Sequence, residues 1–313
     1  VEKSRVEAFL ETHEEEFERD FQIIERKFGV SNYNFILEAD NEKFVLRVSR
    51  KVSRRSRLKE EAEALEFLKE QGIKQVPEKA WFGDAEFGSV LIETYVGDKD
   101  LEADDFTEKE LRESAKLLSE IHSIPISKYN DFFSTEKREK ASLKEIYREE
   151  YEKWSERPYR EYLEEAEEQD ERIEQAYRVQ KELFESVPEV EVDQRPVHGD
   201  LGFNVRSSDT EVFFVDWEYF TTGYPGHDIV YFFEHENLDE SQRKIFLDEY
   251  REHRELSEIF EENRERYRKF LAFNDAVWAA KRLETGKGDQ EKMENILEKK
   301  MSTLEDLHGG LSG

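Results

Sequence analysis

The chain has 313 residues, no cysteine, and a formal charge of −29 from 48 Lys and Arg against 77 Asp and Glu. Disulfides, thiolate zinc sites, iron–sulfur clusters and cysteine nucleophiles are thereby excluded, and the charge excludes a general role on nucleic acid or anionic membranes. Hydrophobic residues are only 36%, but 23 Phe, 13 Tyr and 4 Trp can fill a core, so one large or two ordinary folded domains are expected.

Residues 1–28 read as one amphipathic helix, with Val6, Phe9, Leu10, Phe17, Phe21 and Ile24 on a rough 3.6-residue period and Gly29 as its stop. This polar start is read as helix and not as a signal peptide. No apolar run approaches the roughly 18 residues needed to span a bilayer, so a cytoplasmic protein without membrane insertion is expected. A hairpin follows, NFILEA and FVLRV, with Asp40-Asn41 as turn residues that tolerate left-handed backbone. Ser56 to Gln71 is a charged helix that turns Ala62, Leu65 and Leu68 inward and stops at Gly72. WFGDAEFGSVLIETYV reads as another hairpin. Gly97 to Asp100 reads as a linker, which puts a sheet-rich domain at 1–97 and a mainly helical one at 98–313. Thr107 with Glu110 forms a capping box, flanked by Phe106 and Leu111 at staple positions. Residues 138–186 are charged and helical, and helical patterns resume near Gln242. The acidity itself is read as a solvated surface that keeps the chain soluble, suited to a salt-rich cytoplasm.

Residues 196–233 break the helical pattern with a second hairpin, in which NVR leads out, SSDT turns and VFFVD returns. Asn204 starts the outgoing strand and Asp216 ends the returning one, so the two ends lie side by side. An amide oxygen and a carboxylate converge there, and both suit Mg²⁺ holding the phosphates of a nucleotide. Asp200, in the loop after His198 and Gly199, brings a carboxylate that can take a hydroxyl proton. Taken singly, Asp200 and Asp216 also read as turn formers and Asn204 as a polar strand end. Their joint spacing is what points to phosphoryl chemistry. No H-E-x-x-H, no G-x-S-x-G, no G-x-x-x-x-G-K-[ST] and no G-x-G-x-x-G is present.

VHGDL, Asn204, VDWEY, then Gly223, Pro225 and Asp228 resemble the pattern of the aminoglycoside phosphotransferase and choline kinase family. The resemblance implies an α+β, two-lobed, protein-kinase-like fold with a small antiparallel-sheet N-lobe and a larger helical C-lobe. It implies Asp200 as catalytic base, Asp216 as principal metal ligand and Asn204 as a second. His198 would shape the loop, and Asp228 would brace it. One departure stands out: Asn204 follows Asp200 by four positions, where the family usually has five. Ser31 and Asn32 match the nucleotide loop, with a single glycine, Gly29, in place of a glycine-rich cradle. Arg47 matches the cation on the α/β-phosphates and Glu61 its helix partner. Ile92 to Tyr95, including Glu93 and Tyr95, match the segment whose backbone binds the base. Glu218 and the aromatic Trp278 are the residues singled out for the acceptor.

These features imply an ATP- or GTP-dependent, Mg²⁺-requiring kinase of a small-molecule alcohol. An amine-bearing acceptor is expected, of the choline, amino-sugar or aminoglycoside kind, because an acidic surface concentrates cations. A protein Ser/Thr kinase is disfavoured, since Gly223 and Asp228 follow Asp216 with no long activation segment between. A nucleotide-binding protein that has lost catalysis is the other alternative, supported by the short loop before Asn204.

Overall fold

The structure, a computed structural model, describes residues 1–28, 32–49, 55–101, 105–166, 170–286 and 289–308. Helices α1 (Lys3–Thr12) and α2 (Glu14–Phe17) lead into strands β1 (Gln22–Phe28), β2 (Asn32–Ala39) and β3 (Glu42–Ser49). Helix α3 (Arg55–Glu70) and strands β4 (Lys79–Ala85) and β5 (Gly88–Thr94) follow. Next come β6 (Lys99–Asp100), α4 (Glu108–His122), α5 (Ile126–Phe133), β7 (Lys140–Ser142) and α6 (Leu143–Glu150). A π-helical segment, Tyr151–Glu156, joins α6 to α7 (Arg157–Glu165), and α8 (Glu171–Glu185) follows. The short strands β8 (Glu191–Asp193), β9 (Arg195–Val197), β10 (Val205–Ser207), β11 (Val212–Phe214) and β12 (Thr221–Gly223) precede the last helices. These are α9 (Pro225–His235), α10 (Glu240–His253), α11 (Phe260–Glu284) and α12 (Gln290–His308).

The chain groups into two compact units. The first holds residues 1–137, 195–222 and 235–255, and the second holds 138–194, 223–234 and 256–313. This is not a division at Gly97. The expected linker is instead a strand: Asp98 N–H donates to Ser207 O at 2.8 Å and Leu101 N–H to Val205 O at 3.0 Å. Strand β6 thereby extends the β10–β11 ribbon, in the order β11-β10-β6. Gly97 enters it with φ +63°, where a Cβ would stand 2.9 Å from the Arg206 Cβ, so backbone handedness and space both call for glycine.

The first unit is built on an antiparallel sheet of order β1-β2-β3-β5-β4. Asp40 and Asn41 turn the β2–β3 hairpin with φ of 55° and 65°, the left-handed pair that matches strand twist. Alternation gives the sheet two unlike faces. Phe35, Leu37, Phe44, Leu46, Val48, Val90 and Ile92 form one core with Val6, Phe9, Leu10 and Phe21. Asn34, Lys43, Arg47, Leu91 and Glu93 belong to the other face, where α3 packs Leu58 and Ala62 against Leu91.

Residues 22–28 depart from the expected helix. Glu18 takes a left-handed φ of 55° and ends α2, and the chain then pairs with β2 from Gln22↔Glu38 to Phe28↔Tyr33. Ile24, expected on the helical stripe, sits at a bulge and is 49% exposed. Pairing along a whole strand overrides a loose apolar period. Thr107 caps α4 with the reciprocal bonds of a capping box.

In the second unit, Ala272, Ala276, Ala279 and Ala280 of α11 let α12 approach closely, and Leu297, Met301 and Leu304 fill the seam. Helices α7 and α8 add Tyr159, Tyr162, Ile173 and Ala176. Strand β7 lies inside the stretch 138–186 expected to be helical, and it pairs with β8, which follows that stretch. A buried polar net crosses the unit: Tyr147 O–H donates to Asn263 at 2.9 Å, and His227 Nδ1 lies 2.9 Å from Glu150. Among the described residues no helix is long and apolar enough to cross a membrane.

Candidate active site

The polar groups around Arg47, Asp200, Asn204 and Asp216 lie in the first unit. Arg47 stands on the polar face of β3, paired across to Asn34 of β2 and Leu91 of β5. Its guanidinium forks. Nη1 bonds Glu61 of α3, and Nη2 donates to Asp216 Oδ1 at 2.8 Å. Glu93 of β5 lies 3.9 Å from Nη1. Burial draws the Arg47 pKa down, but Asp216, Glu61 and Glu93 together hold it well above the usual value. Glu61 is fully buried, and its Oε1 also accepts the Trp217 N–H at 3.1 Å. One carboxylate thus holds the Arg47 guanidinium and the segment after Asp216. Burial keeps Glu61 well above the usual carboxylate range despite Arg47.

Asp216 takes a left-handed φ of 65° at the end of the ribbon. Asn204 faces it across the other strand, its C=O accepting the Val215 N–H at 3.0 Å. The Asn204 Nδ2 donates to the Asp200 carbonyl at 2.6 Å, so the amide is oriented and its Oδ1 is the atom left for a ligand. This bond closes the shortened loop. His198 ties the same loop from behind: its Nδ1 accepts the Asp200 N–H at 3.3 Å and its Nε2–H donates to Val215 O at 3.0 Å. Gly199, at φ +79°, leaves only 2.6 Å between a would-be Cβ and the Tyr219 carbonyl oxygen. The base candidate and the metal-ligand candidate are therefore parts of one bonded cluster. Among the described residues no three His, Asp or Glu side chains are grouped to hold a metal alone. A two-oxygen set suits Mg²⁺, which keeps several ligand positions for phosphate and water.

A sequence model of the phosphotransferase enzyme family matches residues 22–270. The chain belongs to this family. Its fold is similar to that of choline kinase LicA from Streptococcus pneumoniae, with a TM-score of 0.70 at 18% identity over 97% of this chain and 100% of that one. It is also similar to macrolide 2′-phosphotransferase MphH from Brachybacterium faecium, with a TM-score of 0.62 at 14% identity over 95% and 98% of the two chains. At such identities the likeness is one of fold. A 56-residue stretch is 48% identical to a LicA homolog of Metamycoplasma hominis and spans 18% of this chain and 22% of that protein. The matched part is thus about a fifth of that relative's length. The fold is the expected kinase-like α+β one, with an antiparallel sheet in its N-terminal region and a mainly helical remainder.

The remaining expected residues of this phosphotransferase-family chain fall in unlike places. Asn32 begins β2 and is buried, while Ser31, with Gly29 and Val30, lies outside the described residues. The Tyr95 N–H is spent on the Lys43 carbonyl at 2.9 Å. Its hydroxyl accepts from Arg206 at 2.7 Å, and that guanidinium also covers the ring at 4.3 Å. Glu218 is buried, 3.9 Å from Arg57. Asp228 is buried in the first turn of α9. Trp278 leaves the apolar stripe of Phe270, Phe273 and Val277: it is 44% exposed, and Arg282 lies over its ring at 4.4 Å. One step along a helix rotates about 100°, enough to carry it off the buried face.

Sequence reasoning missed Asn34 and Arg57. Asn34 Oδ1 is buried with no hydrogen-bond partner among the described residues, as are Oε2 of Glu61 and of Glu93. Strand alternation from Asn32 was the signal for Asn34, and the i, i+4 spacing to Glu61 was the signal for Arg57.

Glu93 carries a pH prediction. Burial pushes it up to about 7, with Arg47 opposing and Asp216 adding to the rise. The unfolded chain then holds fewer protons than the folded one between the ordinary carboxylate pKa and about 7. Stability contributed by this group is complete below that interval and is lost as pH rises through it. Glu93→Gln should therefore gain stability relative to wild type from pH 5 to pH 8, read by urea unfolding at each pH. A constant difference would show that Glu93 titrates normally.

Proposed function

We propose that this chain transfers the terminal phosphoryl group of ATP or GTP to a hydroxyl of a small, amine-bearing molecule, using Mg²⁺. The observation that carries the reading is Arg47 held between Glu61 and Asp216 while Asn204 binds the Asp200 backbone. Arg47 neutralises phosphate charge, and Asp216 with Asn204 Oδ1 would hold the metal. The ion, when bound, offsets the charge of the nucleotide's phosphates. Asp200 orients the acceptor hydroxyl and takes its proton. Among proteins of similar fold, LicA has been solved with AMP, and a spectinomycin phosphotransferase with ADP and spectinomycin, which supports a nucleotide co-substrate here. The charge of −29 favours a cationic acceptor.

The test is Mg²⁺-dependent consumption of ATP and GTP against a panel of amino alcohols, amino sugars and aminoglycosides. Acceptor-dependent turnover with at least one class is the expected result. Tight Mg-nucleotide binding without turnover on any acceptor would replace this reading with a non-catalytic one.

A further inference from the structure

Helix α3 sends two side chains toward the segment after Asp216. Glu61 bonds the Trp217 N–H. Arg57, one turn earlier, reaches the next two residues: its guanidinium covers the Tyr219 ring at 4.3 Å and its Nη1 lies 3.9 Å from Glu218 Oε1. That separation is an ion pair but is too long for a hydrogen bond. Nη1 is buried, and among the described residues it has no hydrogen-bond partner. Arg47, by contrast, commits both of its terminal nitrogens to carboxylates. Tyr219 also abuts the catalytic loop, since its carbonyl oxygen is what a Cβ on Gly199 would strike. Arg57 also donates a hydrogen bond to the Tyr219 hydroxyl, which feels the charge of Asp200 as well. Arg57 is thus stacked on a platform that runs from Asp200 to Glu218, with one charged donor unused.

We propose that Arg57 is a second phosphate-binding cation, whose guanidinium, on a side chain 29% exposed, donates to the terminal phosphoryl group while that group is transferred. The proposal rests on the phosphotransferase reading above. In the transfer the acceptor oxygen forms its bond to phosphorus as the bond from phosphorus to the bridging oxygen breaks. The hydroxyl proton goes to Asp200, and the electron pair leaves with the nucleoside diphosphate. Negative charge spreads over the three phosphoryl oxygens, where a fixed, permanently charged guanidinium acts most strongly. The stack on Tyr219 fixes the plane of the fork, so little ordering is needed when the phosphoryl arrives.

The test compares wild type, Arg57→Gln and Arg57→Lys in Mg²⁺. Titration calorimetry measures affinity for a non-hydrolysable ATP or GTP analogue and for the matching diphosphate. Arg57→Gln should weaken triphosphate binding tenfold or more and change diphosphate binding less than twofold. Its kcat should fall roughly 10²–10³-fold, as when one charge-stabilising donor is lost, with acceptor KM little changed. Arg57→Lys, which keeps charge without the fork, should fall between, and it carries the test if Arg57→Gln melts early. Equal weakening of both nucleotides in either variant would mean that Arg57 only holds Glu218 in place, and would overturn the proposal. So would normal kcat in Arg57→Gln when wild type turns over. If wild type turns over no acceptor yet the triphosphate effect is present, the transfer reading fails and Arg57 stands as a phosphate ligand.

Discussion

Asp200→Asn is expected to lower kcat by roughly 10²–10⁴-fold, the usual worth of a positioned general base, while nucleotide affinity stays within about twofold of wild type. The change is isosteric, and the loop is held by groups that it does not alter. The Asp200 N–H donates to His198 and the Asp200 carbonyl accepts from Asn204, both through the backbone. An amide in place of the carboxylate can still touch the acceptor hydroxyl but cannot take its proton. Steady-state kinetics on the best acceptor, with calorimetry on the Mg-nucleotide, separates the two quantities. Unchanged turnover would remove Asp200 from the chemistry. A parallel loss of nucleotide binding would mean that the loop, not the proton transfer, had been damaged.

Arg47→Met should destabilise the fold by about 3–5 kcal/mol, the range for stripping one partner from a buried ion pair. The reason is the company that Arg47 keeps. Glu61 is fully buried and has Oε2 without a hydrogen-bond partner among the described residues, and Glu93 is nearly as deep. Without the guanidinium, Glu61 must ionise unaided or take up a proton, and the Trp217 N–H contact that it holds weakens either way. Adding Glu61→Gln should restore most of the lost stability, because the neutral amide can still accept from Trp217. It should not restore nucleotide affinity, because the guanidinium proposed to meet the phosphates is still missing. Urea unfolding of the single and double variants, with nucleotide titration of each, reads both outcomes. If the double variant regained nucleotide binding, Arg47 would be a structural counter-ion and nothing more.

Much of this arrangement is legible in the sequence. The Asp40-Asn41 turn, the inward face of α3, the Thr107 capping box and the 204–216 hairpin are local features, decided by residues within a few positions of one another. The nearness of Asn204 and Asp216 was legible for the same reason, since a short hairpin fixes its own ends, and Asp200 lies four residues before Asn204. What escaped depends on partners far along the chain. Strand β1 is a strand because β2 is beside it, and β6 because Arg206 and Ser207 are. Tyr95 was placed at the nucleotide on position alone, while its N–H and hydroxyl are engaged by Lys43 and Arg206. Arg57 shares a helix face with Glu61 by its i, i+4 spacing, but only the fold brings it against Glu218 and Tyr219.

The seam between β6 and β10 bears on how this molecule can be cut. A chain severed near Asp98 would lose more than a tether, because residues 98 to 101 form a lateral row of the β10–β11 ribbon, gripped by backbone bonds to Val205 and Ser207. Expression of residues 1–96 and 97–313 as independent pieces would leave the ribbon's outer edge detached from the sheet that carries Arg47. Bending at Gly97 likewise cannot be a free swivel: the sheet's exit and the ribbon's rim are one fabric there, so they travel together or tear.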